Sequence, residues 1–242
     1  MQPIGFTTGI TRKFKQSFAK SINLIAKTKA TSIEISARTL RELRKLYALI
    51  NSDRFYGVEK NLAQFHYISF HSPWSGFVFN FQNLDLLERI NEIANKINAK
   101  NIVFHPDIIR DCRFYNYIDE RASFENMGKG KDDYNDAKSL EQLHESYGNK
   151  LVLDLQHLWE TFSLDDGQKF ITETREYISE IHVSGYNESS IHCLFSDSIN
   201  KKEILDLLKK CPKKPIILKG APNSLNIDEL NNELELILEY TA

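Results

Sequence analysis

Histidines in this chain recur directly after short apolar runs. Five of the seven histidines have this placement, and one glutamate and one aspartate share it. Imidazole nitrogens and carboxylate oxygens are ligands that proteins offer to Zn²⁺, Mn²⁺ and Fe²⁺. The residues placed in this way are His71, His105, Glu125, Asp154, His157, His182 and His192. Their types predict a site for divalent metal ions, with zinc expected first and manganese or iron as alternatives.

The order of these residues indicates how one to three ions could be held. His71 and His105 follow neighbouring runs and could bind a first ion together with Glu125. Since a carboxylate has two oxygens, Glu125 could bridge to a second ion, which Asp154 and His182 would complete. Adjacent ions acidify bound water to a pKa of ~7 and neutralise charge on a phosphoryl or carbonyl oxygen.

Other polar and aromatic residues fall at comparable places. His157 and His192 could reach outward to hold a further ion. Glu34 could touch substrate, orient a loop or form a salt bridge. Trp74 could form an apolar wall for a sugar or a base, or pack under the rim of the site. Lys219 could bind an anionic substrate group or pair with one of the metal-binding carboxylates.

Eight short runs rich in Ile, Val, Phe and Leu alternate with segments of helical periodicity, which predicts a parallel sheet. The predicted strands are Ile4–Thr8, Ser32–Ser36, Tyr67–His71, Asn101–His105, Arg121–Glu125, Leu151–Leu155, Glu180–Ser184 and Pro215–Lys219. The helices predicted between them include Phe14–Lys27, Thr39–Ile50, Asp85–Asn98, Ala137–Ser146, Gly167–Tyr177, Lys201–Lys209 and Ile227–Tyr240.

Eight such units of roughly thirty residues suit a (β/α)₈ TIM barrel, whose usual length is about 250 residues. The alternative is a doubly wound open sheet, which usually binds its ligand at one switch point. Here polar residues end at least five predicted strands, and a barrel gathers all those ends at one mouth. We therefore expect an α/β protein with a single TIM barrel domain over residues 1–242, and the loop Gly128–Asp136 on the rim of its site.

Composition narrows the range of partners. The chain has 242 residues, is 41% hydrophobic and 26% charged, and carries a formal net charge of −2. This balance disfavours DNA as a partner, although a local basic strip is compatible with it.

Three cysteines without CxxC spacing favour reduced thiols. The amino terminus lacks a signal-peptide pattern and no apolar run approaches the ~18 residues of a membrane span, so we expect a cytoplasmic protein without a membrane partner.

The segments FHSPW, VFHPD, FENMGKG, LDLQH and IHVSG, in this order, resemble the xylose isomerase-like TIM barrels. Within that superfamily they look most like endonuclease IV, or AP endonuclease family 2, the metal-dependent enzymes that cut DNA beside abasic sites. The resemblance covers predicted strands three to eight and implies a trinuclear zinc site. By this resemblance, His71 and His105 would hold the first ion, and Glu125 would bridge it to the second. Asp154 and His182 would complete the second ion. His157 and His192 would belong to the third.

Two positions depart from the pattern that the resemblance implies. Ser190 stands where the family has an aspartate two residues before the histidine, and Lys219 stands where the eighth strand ends in a metal-binding glutamate. A cation at the second position repels a metal ion and removes a ligand. Sugar isomerases and epimerases of the superfamily also use that glutamate, so Lys219 departs from them as well.

Three classes of function remain open. The first is a metal-dependent hydrolase that cleaves a phosphoester, with an abasic-site or nucleotide-like substrate and metal-activated water. The second is a sugar or sugar-phosphate isomerase or epimerase, in which Glu125 or Lys219 moves a proton. The third is a barrel that binds a ligand without turnover. A small, phosphorylated substrate is expected for the first two, and the oligomeric state is open.

Overall fold

Eight parallel strands close into a ring in this computed structural model, which describes residues 2–131 and 133–241. Their order around the ring follows their order in the chain, and β1 pairs with both β2 and β10. The ring strands are β1 (Ile4–Thr7), β2 (Ser32–Ser36), β3 (Tyr67–His71), β4 (Asn101–Phe104), β5 (Ala122–Glu125), β6 (Lys150–Asp154), β7 (Ile178–Val183) and β10 (Ile216–Leu218). The expected α/β class and (β/α)₈ TIM barrel are confirmed.

Helices surround the ring, and a hairpin extends one of its loops. The helices are α1 (Phe18–Ile25), α2 (Leu40–Ile50), α3 (Phe55–Leu62), α4 (Asp85–Lys96), α5 (Ala137–Tyr147), α6 (Leu155–Thr161), α7 (Leu164–Thr174), α8 (Lys201–Leu208) and α9 (Ile227–Thr241). The hairpin consists of β8 (Gly185–Asn187) and β9 (Ser190–Cys193). The sequence analysis did not identify α3, α6 or the hairpin. It began α1 too early, because Ser17 caps the helix immediately before Phe18.

The two faces of the ring differ in chemistry. Side chains alternate between the faces along each strand, and one alternating set is apolar and packs in the core cluster with residues of the helices. That set includes Ile33, Ile35, Phe70, Phe104, Phe124 and Leu153. The other set is buried and largely polar, and includes Ser32, Glu34, Ser69, Asn101, Ser123 and Glu180.

Contacts across the ring establish that the polar set fills its interior. Glu180 on β7 accepts hydrogen bonds from Tyr67 and Ser69 on β3, although β3 and β7 are not neighbouring strands. Barrels of this kind are usually filled by branched apolar side chains. The polar filling carries buried charges that must be paired, and it lies directly beneath the mouth at the carboxyl ends of the strands.

The loop Gly128–Asp136 follows β5, as predicted, and its Lys131 Nζ lies 2.6 Å from Asp107 Oδ2 beyond the end of β4. Asp132 of this loop lies outside the described residues, as do Met1 and Ala242 of the predicted domain. Within the described part of the chain, no helix is long and apolar enough to cross a bilayer.

Candidate metal centre

One carboxylate joins three histidines at the mouth of the barrel. Glu125, the last residue of β5, is 2% exposed. Its Oε2 lies 3.1 Å from His71 Nε2 and 2.8 Å from His105 Nε2. Its Oε1 lies 2.7 Å from His182 Nδ1. Side chains at the ends of three other strands, β3, β4 and β7, therefore converge on this glutamate.

The donor atoms fit a divalent cation. Glu125 belongs to two groups of three possible metal ligands. The first group contains His71, His105 and Glu125, and the second contains Glu125, Asp154 and His182. Within each group, the donor atoms lie within 4.8 Å of one another. Imidazole and carboxylate donors of this kind suit zinc, manganese or iron. The sharing of Glu125 is compatible with the predicted bridge, and the assignment of individual ligands remains a prediction.

Asp154 is oriented by the helix that follows it. It ends β6 and serves as the N-cap of α6, where its Oδ1 accepts hydrogen bonds from the backbone N–H groups of Gln156 (2.9 Å) and His157 (3.1 Å). A carboxylate at a helix N-terminus is favoured by the helix dipole as well as by these bonds. Asp154 is thereby held beside Glu125 and His182 without a loop between strand and helix.

Charged groups in the centre shift one another's pKa. Burial by itself would raise the pKa of Glu125, but the positive charges of Lys219 and His182 hold it well below its usual value. Burial and Lys219 would lower the pKa of His182, but Glu34 and Glu125 raise it well above its usual value.

A second glutamate, which the sequence analysis did not select, lies below His182. Glu180 is completely buried, and its Oε1 lies 2.7 Å from His182 Nε2. Its carboxylate also accepts hydrogen bonds from Tyr67 Oη (2.7 Å), Ser69 Oγ (3.2 Å) and Asn101 Nδ2 (3.2 Å). The signal in the sequence was its spacing: Glu180 stands two residues before His182, so both face the interior.

Glu180 orients the ring of His182. Its carboxylate engages Nε2, so that Nδ1 faces Glu125. A carboxylate behind a metal-binding histidine fixes the tautomer and raises the basicity of the ligand nitrogen.

We expect Glu180→Gln to weaken metal binding by roughly 10-fold to 100-fold, because the neutral amide replaces the nearer of the two carboxylates beside His182 Nε2. Zinc affinity of the folded variant would be measured by competition with a chromophoric chelator. Glu176→Gln, which alters an exposed glutamate just before β7, is the matched control and should leave the affinity unchanged. Wild-type affinity in a folded Glu180→Gln variant would exclude this orienting role.

Lys219 pairs with Glu34 rather than with one of the carboxylates predicted to bind metal. Its Nζ lies 3.1 Å from Glu34 Oε1 and 3.4 Å from Oε2. Burial alone would raise the pKa of Glu34, yet the charges of Lys219 and His182 lower it. Burial would lower the pKa of Lys219, but Glu34 and Glu125 raise it. Glu34 is fully buried, so the salt bridge considered for it is observed, whereas its surroundings do not favour substrate contact.

His157 and His192 lie together outside this cluster. Their ring centroids are 6.1 Å apart. His157 Nδ1 is 2.8 Å from the backbone oxygen of Asn126, and His192 Nδ1 is 2.8 Å from Ser184 Oγ. Within residues 2–131 and 133–241, neither histidine belongs to a group of three close metal ligands. The third ion implied by the resemblance therefore lacks a complete ligand set here.

Trp74 packs against two of the predicted metal ligands. Its ring lies 4.4 Å from that of His71 and 5.2 Å from that of His105, measured between centroids. The guanidinium of Arg12 lies 5.7 Å from the centroid of the Trp74 ring. Trp74 is half-buried and also packs against the core, so both roles considered for it are compatible with its position.

The chain is similar in structure to several solved proteins, although its sequence matches no family model and no curated protein. D-psicose 3-epimerase, solved in the presence of D-fructose, has a TM-score of 0.70 and 13% identity, with 97% of each chain covered. A xylose isomerase domain protein from Alicyclobacillus acidocaldarius has a TM-score of 0.62 and 12% identity, with 99% of this chain and 98% of that one covered.

A further solved structure, SacUVDE, has a TM-score of 0.65 and 12% identity, with 100% of this chain and 99% of that one covered. At such identities the likeness concerns the fold alone. The chain therefore has the (β/α)₈ barrel fold of these proteins, among them a xylose isomerase domain protein.

Proposed function

We propose that this protein is a divalent-metal-dependent isomerase or epimerase of a sugar. The observation that carries the proposal is the buried group of Glu125, Asp154 and His182, with the ammonium of Lys219 close enough to influence the pKa of two of them. Such a site combines a cation that polarises a carbonyl with groups that can transfer a proton. The likeness in fold to D-psicose 3-epimerase supports this reading over hydrolysis.

The roles of the residues follow from their surroundings. A bound ion, for which zinc is the first candidate, would polarise the substrate carbonyl and stabilise the enediolate. Glu125, Asp154 and His182 would hold it. Glu125 is also the candidate to move a proton between substrate carbons. Lys219 stays protonated because its neighbours raise its pKa, so it suits hydrogen bonding to the developing oxyanion.

Phosphoester hydrolysis, which the sequence analysis ranked first, has weaker support. Its resemblance-based mechanism uses three ions, and the group around His157 and His192 lacks a third ligand among residues 2–131 and 133–241. The net charge of −2 also disfavours a nucleic-acid substrate. Endonuclease activity, DNA binding and a cytoplasmic location remain predictions from the sequence.

Deuterium exchange distinguishes these functions. The protein, loaded in turn with zinc, manganese and iron, would be incubated in D₂O with a panel of ketoses and aldoses and their phosphates. We expect deuterium at the carbon beside the carbonyl of one sugar, detected by proton NMR, and no cleavage of bis(p-nitrophenyl) phosphate. Cleavage without exchange would favour the hydrolase. Metal binding with neither reaction would favour the barrel that binds without turnover.

A further inference from the structure

A cavity of about 720 Å³ begins where β1 and β2 end, and its lining continues along α2 as far as Leu49, and on to Arg54. Thr8 follows β1 and Ser36 ends β2, and the Thr8 hydroxyl accepts a hydrogen bond of 2.9 Å from the Ser36 N–H group. Both line the cavity, together with the first turn of α1 at Phe18 and Ala19. The positive end of that helix dipole therefore contributes to one wall.

The lining of this cavity is strongly basic. Five cationic side chains and one carboxylate, Glu42, contribute to it. The cations are Arg12, Lys15, Arg41, Lys45 and Arg54. The Arg12 guanidinium lies 3.5 Å from Glu42. Over the described ranges 2–131 and 133–241, no ion pair engages the other four cations. In a chain of net charge −2, this concentration of unpaired positive charge is local.

Arg12 connects the cavity to the metal centre. One of its terminal nitrogens lies 3.4 Å from both the backbone oxygen and the hydroxyl of Ser36, which is paired in register with His71. Its guanidinium also lies against Trp74, whose ring contacts that of His71. A ligand bound at the metal centre could therefore extend past Trp74 and place an anionic group among the cations.

We propose that this cavity binds the phosphate group of a phosphorylated sugar whose carbonyl end lies at the metal centre. The inference rests on the proposed function, since it names the substrate class of the same site. Phosphate is a dianion with several acceptor oxygens, and Arg and Lys side chains with hydroxyls are its usual partners. Volumes of roughly 300–1,000 Å³ are typical of pockets for small ligands, whereas binding of long nucleic acids uses extended basic surfaces.

Binding of inorganic phosphate tests the cavity independently of the metal. Wild-type protein treated with EDTA should bind phosphate saturably in isothermal titration calorimetry. The double variant Arg41→Gln/Lys45→Gln should bind it at least about tenfold more weakly, because each charged hydrogen bond is worth about that factor. Lys201→Gln/Lys202→Gln, which removes two cations from α8, should bind phosphate as the wild type does. Absence of phosphate binding, or equal binding by the two double variants, would overturn the proposal.

Sugar discrimination tests how the two sites are coupled. We expect deuterium exchange to be faster into D-fructose 6-phosphate than into D-fructose. The variant Arg41→Gln/Lys45→Gln should reduce the ratio of these two rates by about tenfold. A preference that survives in this variant would overturn the proposal. An oligonucleotide that displaces phosphate when sugar phosphates do not would also overturn it. If no sugar exchanges at all, the proposed function fails, while the phosphate titration still decides whether the cavity binds anions.

Discussion

Replacing Glu125 by glutamine is expected to remove metal binding and, with it, turnover. One of its oxygens contacts His71 and His105, and the other contacts His182. An amide keeps the shape but loses the negative charge and one acceptor oxygen. Since loss of an orienting partner alone costs 10-fold to 100-fold, we expect affinity to fall by at least about 100-fold.

Elemental analysis after dialysis against a fixed free zinc concentration measures this loss, and the deuterium exchange rate measures its effect on turnover. Glu120→Gln, an exposed glutamate shortly before β5, is the matched control and should retain wild-type metal content. Circular dichroism would verify that both variants fold. Glu125→Asp keeps the charge on a shorter side chain and should retain partial affinity. Full metal content in a folded Glu125→Gln protein would exclude Glu125 as a ligand.

Lys219→Met is expected to destabilise the metal-free protein by about 3–5 kcal/mol. The substitution removes the ammonium 3.1 Å from Glu34, a carboxylate with no exposed surface. Breaking a buried ion pair leaves an uncompensated charge in a medium that solvates it poorly. His182 also lies 3.1 Å from Glu34, but it lies closer to Glu125, at 2.7 Å. We therefore do not expect His182 to replace the lost ammonium as the partner of Glu34. Urea denaturation in EDTA measures the free energy of unfolding.

A double variant separates the energetic contribution of the Glu34–Lys219 ion pair from that of the packing of the lysine methylene groups. Glu34→Gln/Lys219→Met removes both charges and should recover most of the stability lost in the single variant. Because the pKa of Glu34 is depressed in the folded state, the advantage of wild type over the double variant should be present above pH ~4.3 and be lost as pH falls further. Lys213→Met, at an exposed lysine before β10, should change stability little. Lys219→Met with wild-type stability would contradict the buried pair.

The positions of the strands were predictable because each carries its own signal. All eight predicted strands are present, each within two residues at either end. Helix α6 was missed because it begins at Leu155 directly after β6, so the apolar run of the strand continues into the helix. The hairpin that carries Ser190 and His192 was missed because its strands are only three and four residues long.

The side chains that meet across the barrel were harder to predict than the place of each residue on its strand. The convergence of Glu125 with His71, His105 and His182 was expected, and it follows from their common place at strand ends. The pairing of Lys219 with Glu34 was not expected, because carboxylates on several strands were possible partners of Lys219. Glu180 was passed over because it lies two residues deeper than the strand end on which the sequence analysis concentrated.

By itself, the sequence determined which residue types end each strand and which face of the strand each one occupies, because side-chain alternation and βα periodicity are local properties of the chain. Only the tertiary structure decided which side chains meet: Lys219 with Glu34, Glu180 with His182, and Arg12 with Trp74. Those distances depend on how eight strands tilt and stagger as the ring closes. A salt bridge inside a barrel joins residues far apart in sequence, so no local pattern records it.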